Sequence, residues 1–350
     1  MRMPSVSGYW LDHLRHPFRG GTEQAFVSTM SERRASGKRG RSRPTEVRFG
    51  PAGWMYKDWE GIVYPKPKPP QFDQLAYIAD FFDTVEINSS FYGPPVAKTT
   101  RGWVQRVSAN EDFRFTAKLW KRFTHERGKA WTRSEVAKVR AGFDVLMESG
   151  KLGAVLIQFP WSFKRTEPNQ EWLGDVTRAF SVYPLVLEVR HSSWLTPDFL
   201  RMLVEEGIGF VNIDQPLFSN SIGPTAHATS RVGYIRVHGR NYNDWFRKKA
   251  PVEQRYNYLY RADQLEPWVE RAQEVAVDPA TREVYVVTNN HYKGKSVANA
   301  LMMKSMMAGG TVSAPAEVYE AYRDTLEGYS EPELEGKLNT GSASLLTARH

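Results

Sequence analysis

Two textures alternate along the chain. Eight short runs have β-rich character: Val47–Gly50, Thr84–Ser89, Arg114–Lys118, Ala154–Phe159, Leu185–Arg190, Gly209–Asp214, Gly233–His238 and Val284–Asn289. Between most of them, apolar residues fall at helical spacing. Gln71–Phe82 sets Leu75, Ile78, Ala79 and Phe82 on one face, and Ser134–Met147 does the same with Val136, Val139, Phe143 and Leu146. Further helices are expected at Asn169–Ser181, Pro197–Glu206, Asp263–Ala276 and Ser296–Ala308. Thr196 before Pro197 reads as an N-cap followed by proline at the first helical position. Pro216–Arg231 is rich in Ser, Gly and Pro, so the helix after the sixth strand is expected to be degenerate. Strands alternating with helices imply parallel pairing through right-handed crossovers, and eight such units predict an α/β fold, a single (β/α)8 barrel of TIM type. An open doubly wound sheet is the rival. It would favour a glycine-rich phosphate turn after the first strand, but Gly50-Pro51-Ala52-Gly53-Trp54 is not GxGxxG. Neither nicotinamide nor flavin is therefore expected as a cofactor.

The strands themselves are unusual. Parallel strands buried on both faces normally read as continuous Val, Ile and Leu. Here Val85 and Ile87 alternate with Glu86 and Asn88, Leu187 and Val189 with Glu188 and Arg190, Val211 and Ile213 with Asn212 and Asp214, and Ile235 and Val237 with Arg236 and His238. With a side-chain period of two, each strand gives one face to the helix layer and the other to the interior. Lys118 and Gln158 end the third and fourth strands in the same phase, and Asn289, Asn290 and His291 close the eighth. Polar groups thus gather at the C-terminal strand ends, where barrels bind ligands. Two plainer readings compete: an antiparallel sheet with one wet face, and structural ion pairs such as Glu188 with Arg190 or Arg236.

The candidate chemistry follows from these residue types. Glu86 and Glu188 are expected to act as acid–base groups or metal ligands, with His191 and His238 assisting proton transfer. Lys118, Arg190 and Arg240 would balance a phosphate or carboxylate. Asp214 adds a third carboxylate. Carboxylates with His leave a divalent cation open as a cofactor, though no compact motif such as HExxH selects it. Aromatic residues follow most strands: Trp54, Tyr56 and Trp59, then Phe91 and Tyr92, Trp120, Trp161, Trp194, and Tyr242 with Trp245. Such rings suit sugars or nucleobases, or else cap the barrel. Gly294-Lys295, before the last helix, resembles a phosphate-binding helix entrance.

Charge changes the picture less than its total suggests. The 350 residues carry 47 Lys and Arg against 39 Asp and Glu. Nine of those basic residues and only three of the acids fall within 1–45, which leaves the rest of the chain near neutrality. Residues 1–45 read as a basic, disordered extension, residues 46–310 as the barrel, and residues 311–350 as a C-terminal helix and mobile tail. The basic extension makes nucleic acid a candidate partner. Cys is absent, which excludes disulfides and Cys-ligated clusters. No apolar run approaches the roughly 18 residues of a membrane span, so no membrane partner and a cytoplasmic location are expected.

Several long motifs, in one order, resemble the YecE-like family, a TIM-barrel domain of unknown function. They are Gly50–Trp54, Asp83–Tyr92, Lys118 with Phe123–Glu126, Leu156–Pro160, Glu188–Trp194, Tyr234–Gly239 and Asn289–His291. Pro51 and Ala52 depart from the family's Gly-Thr-Ser-Gly-Trp opening. The resemblance implies the barrel fold and a pocket formed by Glu86, Asn88, Tyr92, Lys118, His125, Gln158, Glu188, Arg190, His191, His238 and Asn290. Together these readings predict a hydrolase or lyase type of enzyme. It would act on a phosphoester or sugar-containing polar ligand at the barrel mouth, with Trp54 among the binding residues. A non-catalytic nucleic-acid-binding protein and a carbohydrate-binding barrel are the alternatives.

Overall fold

A computed structural model describes residues 45–242 and 252–333. The basic extension, Trp245 and the chain after Glu333 lie outside the described residues. Eight parallel strands form the framework: β1 (Glu46–Pro51), β2 (Thr84–Ile87), β3 (Arg114–Lys118), β4 (Leu152–Gln158), β5 (Leu185–Glu188), β6 (Gly209–Asp214), β7 (Val232–Val237) and β8 (Glu283–Thr288). Each pairs with its sequence neighbour from β2 to β8, and β8 pairs with β1. The remaining seam, between β1 and β2, is closed by a parallel bridge from Ala52 to Glu86, with Gly53 N–H donating to Glu86 O at 2.9 Å. Gly50 is needed there. A Cβ at this position would lie 1.9 Å from the Thr84 carbonyl oxygen. The expected (β/α)8 barrel is therefore the observed fold.

Seven long helices, among the described residues, coat the barrel: α1 (Gln74–Phe81), α2 (Ala97–Arg106), α3 (Arg133–Glu148), α4 (Glu167–Ala179), α5 (Pro197–Glu206), α6 (Ala262–Val277) and α7 (Lys295–Ala308). Capping sets several of their starts. The Asp73 carboxylate accepts from Leu75 and Ala76 N–H, so α1 begins three residues later than its apolar spacing suggested. Thr132 and Glu135 form a capping box on α3. The Thr196 side chain caps α5 ahead of Pro197, as expected, and Gly207 ends that helix at φ 65°. No helix follows β6, in line with the Ser/Gly/Pro-rich composition there. The pattern missed α2. That helix buries only Thr100 and Trp103, too short an apolar stripe to read as periodic. After α7, strands at Val312–Ala314 and Ser330–Pro332 pair in parallel around two short helices. Among the described residues no helix is long and apolar enough to cross a membrane.

Two apolar clusters show which way each strand faces. The larger packs Phe49, Val85, Ile87, Phe115, Leu187, Ile235, Val237 and Val286 against the helices. The smaller fills the barrel with Ala154, Leu156, Val186, Val211, Ile213, Tyr234, Tyr285 and Val287. Most strands keep the expected phase, with polar side chains inward. β6 does not. Val211 and Ile213 point in, so Asn212 and Asp214 belong to the outer face. The reason is the absent helix. Asn212 fastens the irregular connection instead, with its Nδ2 on the His227 carbonyl at 3.0 Å and its Oδ1 taking Thr225 Oγ1 and His227 N–H at 2.8 Å each.

Candidate functional site

Strand phase brings Glu86, Lys118, Gln158, Glu188, Arg190, Arg236, His238 and Asn289 to the upper interior of the barrel. Arg236 is the hub. Its Nε and Nη2 donate to Glu86 Oε2 and Oε1 at 2.9 and 2.6 Å, and its Nη1 donates to Glu188 Oε2 at 3.0 Å. Glu188 Oε1 accepts Arg190 Nε at 2.8 Å and lies 2.7 Å from Arg190 Nη2. The Tyr234 hydroxyl gives Glu86 Oε2 a further hydrogen bond of 2.9 Å and is itself 2.8 Å from Thr116 Oγ1. Two fully buried carboxylates are thus shared between the buried Arg236 and the partly exposed Arg190. Burial alone would raise the Glu188 pKa, but Arg190, His238 and Arg236 together hold it well below the usual carboxylate range. The same carboxylates keep Arg236 charged.

His238 completes the network as a neutral ring. Burial outweighs the attraction of Glu188 and pushes its pKa down to about 3. Its Nε2 lies 3.3 Å from Glu188 Oε1, and its Nδ1 is 3.0 Å from Asn289 Nδ2. Arg190 Nη2 also lies 3.3 Å from Nε2, so that nitrogen stands between a guanidinium donor and a carboxylate acceptor.

The oxygens of Glu86 and Glu188, expected as acid–base groups or metal ligands, are engaged by guanidinium and hydroxyl donors, with the His238 ring 3.3 Å from Glu188 Oε1. Among the described residues, no group of three or more His, Asp and Glu could hold a metal ion.

Lys118 differs from its neighbours. Its ammonium is half-buried and sits 4.1 Å from the centroid of the Phe91 ring. No carboxylate among the described residues forms an ion pair with it. Burial, with Arg236 and Arg190 adding to it, lowers its pKa from 10.5 to about 7 against the pull of Glu86 and Glu188. His125 is an exposed neighbour on the same ring: its imidazole meets Phe91 edge-on at 4.9 Å, and its Nδ1 lies 2.9 Å from Thr124 Oγ1. Asn88 lies beside the Tyr56 hydroxyl, and Tyr92 stands 71% exposed on the rim. Gln158 lines the interior with only a long contact, 3.5 Å, from Nε2 to its neighbour's carbonyl.

Other expected site residues lie elsewhere. Asp214, on the outer face of β6, takes Arg240 Nε and Nη2 at 2.9 and 3.1 Å and the Tyr260 hydroxyl at 2.5 Å. That cluster locks the end of β6 to the chain after β7. Asn290 has the outward phase of β8, and its Nδ2 donates to Tyr258 O and to Asn299 Oδ1 of α7. His191 caps the turn that follows β5, with Nδ1 accepting Ser193 N–H at 3.2 Å. Trp54 packs edge-on against Trp103 of α2, 5.5 Å between ring centroids, in the helix-facing core. Trp59 and Trp194 are fully buried and donate to main-chain carbonyls, so these rings cap the barrel. Arg236, Asn289, Tyr234 and Thr116 were not singled out as site residues. Arg236 was legible as a candidate ion-pair partner, and Tyr234 shares its inward phase.

The family described as "Protein of unknown function DUF72" matches residues 48–320. The UPF0759 protein YunF of Bacillus subtilis (strain 168) is 29% identical over 274 residues, which cover 75% of this chain and 94% of that protein. The crystal structure of a DUF72 family protein (TM1631) from Thermotoga maritima MSB8 is 33% identical with a TM-score of 0.66, covering 75% of this chain and 99% of that one. A second, from Enterococcus faecalis V583 (EF0366), is 25% identical with a TM-score of 0.64, covering 75% and 95%. With the family matched over most of its length, this chain belongs to the DUF72 family.

Proposed function

We propose that the barrel mouth is the active site of an enzyme acting on a small polar substrate with an anionic group, of the phosphorylated or sugar-derived class. The observation that carries this reading is the charge balance of the upper interior. Glu86 and Glu188 are matched by Arg236 and Arg190, so the Lys118 amine stands without a carboxylate partner at the end where barrels bind ligands. An anionic group supplies the missing partner. Arg190, whose side chain is 13% exposed, can meet the same anion from β5 while Glu188 holds it in place. The Asn88 and Gln158 amides and the exposed Tyr92 ring suit hydroxyl-bearing substrates. In this reading Glu86, Glu188 and His238 are framework, and Lys118 is the group positioned to react.

Thermal shift tests the reading. Inorganic phosphate and a set of sugar phosphates should raise the Tm of the wild type. The rise should shrink in both Lys118→Met and Arg190→Met, each compared with its own ligand-free Tm. Equal rises in wild type and both variants, or none with any anion, would refute it.

A further inference from the structure

We infer that Lys118 forms a covalent imine with the carbonyl carbon of an anionic aldehyde or ketone. This goes one step beyond the mouth as an active site and rests on that reading. Three features of geometry carry it. First, the amine is not tied down. It lies against the Phe91 face and has no hydrogen-bond or ion-pair partner among the described residues, so its lone pair is available once the proton leaves. Second, it ends β3 in the inward phase, half-buried at the mouth, where a bound carbonyl can reach it but bulk water has limited access. Third, the site encloses it enough for burial to disfavour the ammonium, with Arg236 and Arg190 adding to that effect and Glu86 and Glu188 opposing it.

The steps balance. The neutral Nζ adds its lone pair to the carbonyl carbon, the π bond breaks toward oxygen, and a proton moves from nitrogen to oxygen to give a carbinolamine. The nitrogen lone pair then forms the C=N bond as the hydroxyl departs as water, taking one proton. The product is an iminium, and the net reaction consumes one proton and releases one water. The proton consumed comes from solvent at the barrel mouth, where His125 flanks the same Phe91 ring as Lys118. The substrate's anionic group would rest on Arg190. An iminium withdraws the electron pair of a bond one carbon away, which places the reaction among carbon–carbon cleavages, condensations or proton shifts next to a carbonyl.

The test is reductive trapping on the full chain. Dihydroxyacetone phosphate and pyruvate are the probes, sodium borohydride is the reductant, and intact mass followed by peptide mapping is the readout. The expected result is one reduced adduct per chain, mapped to Lys118, with at least one probe. Its yield should climb through pH about 7, well below the range in which an ordinary solvated lysine amine becomes reactive. Lys118→Arg and Lys118→Met should lose the adduct, with circular dichroism confirming that each is folded. Competitive acetylation of the wild type gives a second, substrate-free measurement. Lys118 should be the fast-reacting lysine at pH 7.

Adducts spread evenly over surface lysines, or unchanged in Lys118→Arg, would overturn the imine. Intact anion-dependent thermal shifts with no Lys118 adduct from either probe would reject the imine and leave the active-site reading standing. Loss of both would reject both.

Discussion

Replacing Lys118 by Met should stabilise the protein, and should do so in a pH-dependent way. The side chains are similar in length, and a thioether over Phe91 keeps a favourable ring contact. What changes is the charge. Folding moves the amine from its ordinary 10.5 to about 7. At 1.36 kcal/mol per pH unit, this is a cost of about 5 kcal/mol for the protonated form. The sign follows from the direction of the shift. Below pH 7 the amine is protonated in both folded and unfolded chains, so the whole cost is present. Between pH 7 and 10.5 the unfolded chain binds the extra proton, and wild-type stability rises with pH. Above 10.5 both states are neutral and the cost vanishes. Lys118→Met should therefore exceed the wild type by about 5 kcal/mol at pH 6, with the gain falling by about 1.4 kcal/mol per pH unit above 7. Urea unfolding followed by circular dichroism at pH 6, 8 and 10 measures it. A difference that stays constant across this range would refute the claim that the Lys118 ammonium is held in an unfavourable site.

Three further outcomes follow from the same geometry. Arg236→Met strands Glu86 without a cation, leaves Glu188 to Arg190 alone, and should cost about 3–5 kcal/mol in urea unfolding, the usual penalty for breaking a buried pair; a loss below about 1 kcal/mol would show the pair to be exchangeable with solvent. Glu188 titrates below its unfolded value of 4.5, so its contribution is present above pH 4.5 and is lost as pH falls further. Acid titration of the wild type should consequently show a loss of stability in that window that Glu188→Gln lacks. Gly50→Ala should destabilise by about 3 kcal/mol because its Cβ meets the Thr84 backbone, whereas Gly102→Ala, with open space on α2, should gain about 0.5–1 kcal/mol in thermal or urea unfolding. Equal effects of the two alanines would mean that the β1–β2 seam can widen freely.

The barrel was legible in the sequence because its determinants are local. Strand runs, helical spacing, the Thr196-Pro197 cap and the missing helix after β6 each depend on neighbouring residues, and the chain order of strands and helices then leaves few topologies. Alternation also disclosed that Glu86, Lys118, Glu188, Arg190, Arg236 and His238 share an inward phase, since period two is a property of the strand alone. It failed where the outer layer changes. On β6 the helix-facing side is covered by an irregular connection, which polar Asn212 can fasten and an apolar side chain cannot, so the apolar and polar faces exchange sides. Asn290 likewise turned to Asn299 on α7. No local pattern encodes what a strand packs against.

The state of the charged groups lay further from the sequence still. Whether a glutamate is a proton carrier or half of an ion pair depends on groups brought within a few ångström by the closure of the barrel. Arg236 reaches Glu86 from 150 positions away and Glu188 from 48. That closure pairs both candidate acid–base carboxylates with guanidinium groups and leaves Lys118 partly buried without a carboxylate in ion-pair contact. The sequence by itself determined the barrel and which side chains share its interior. Only the tertiary structure decided which of those charges cancel and which one is left over, because charge pairing is a matter of distance through space.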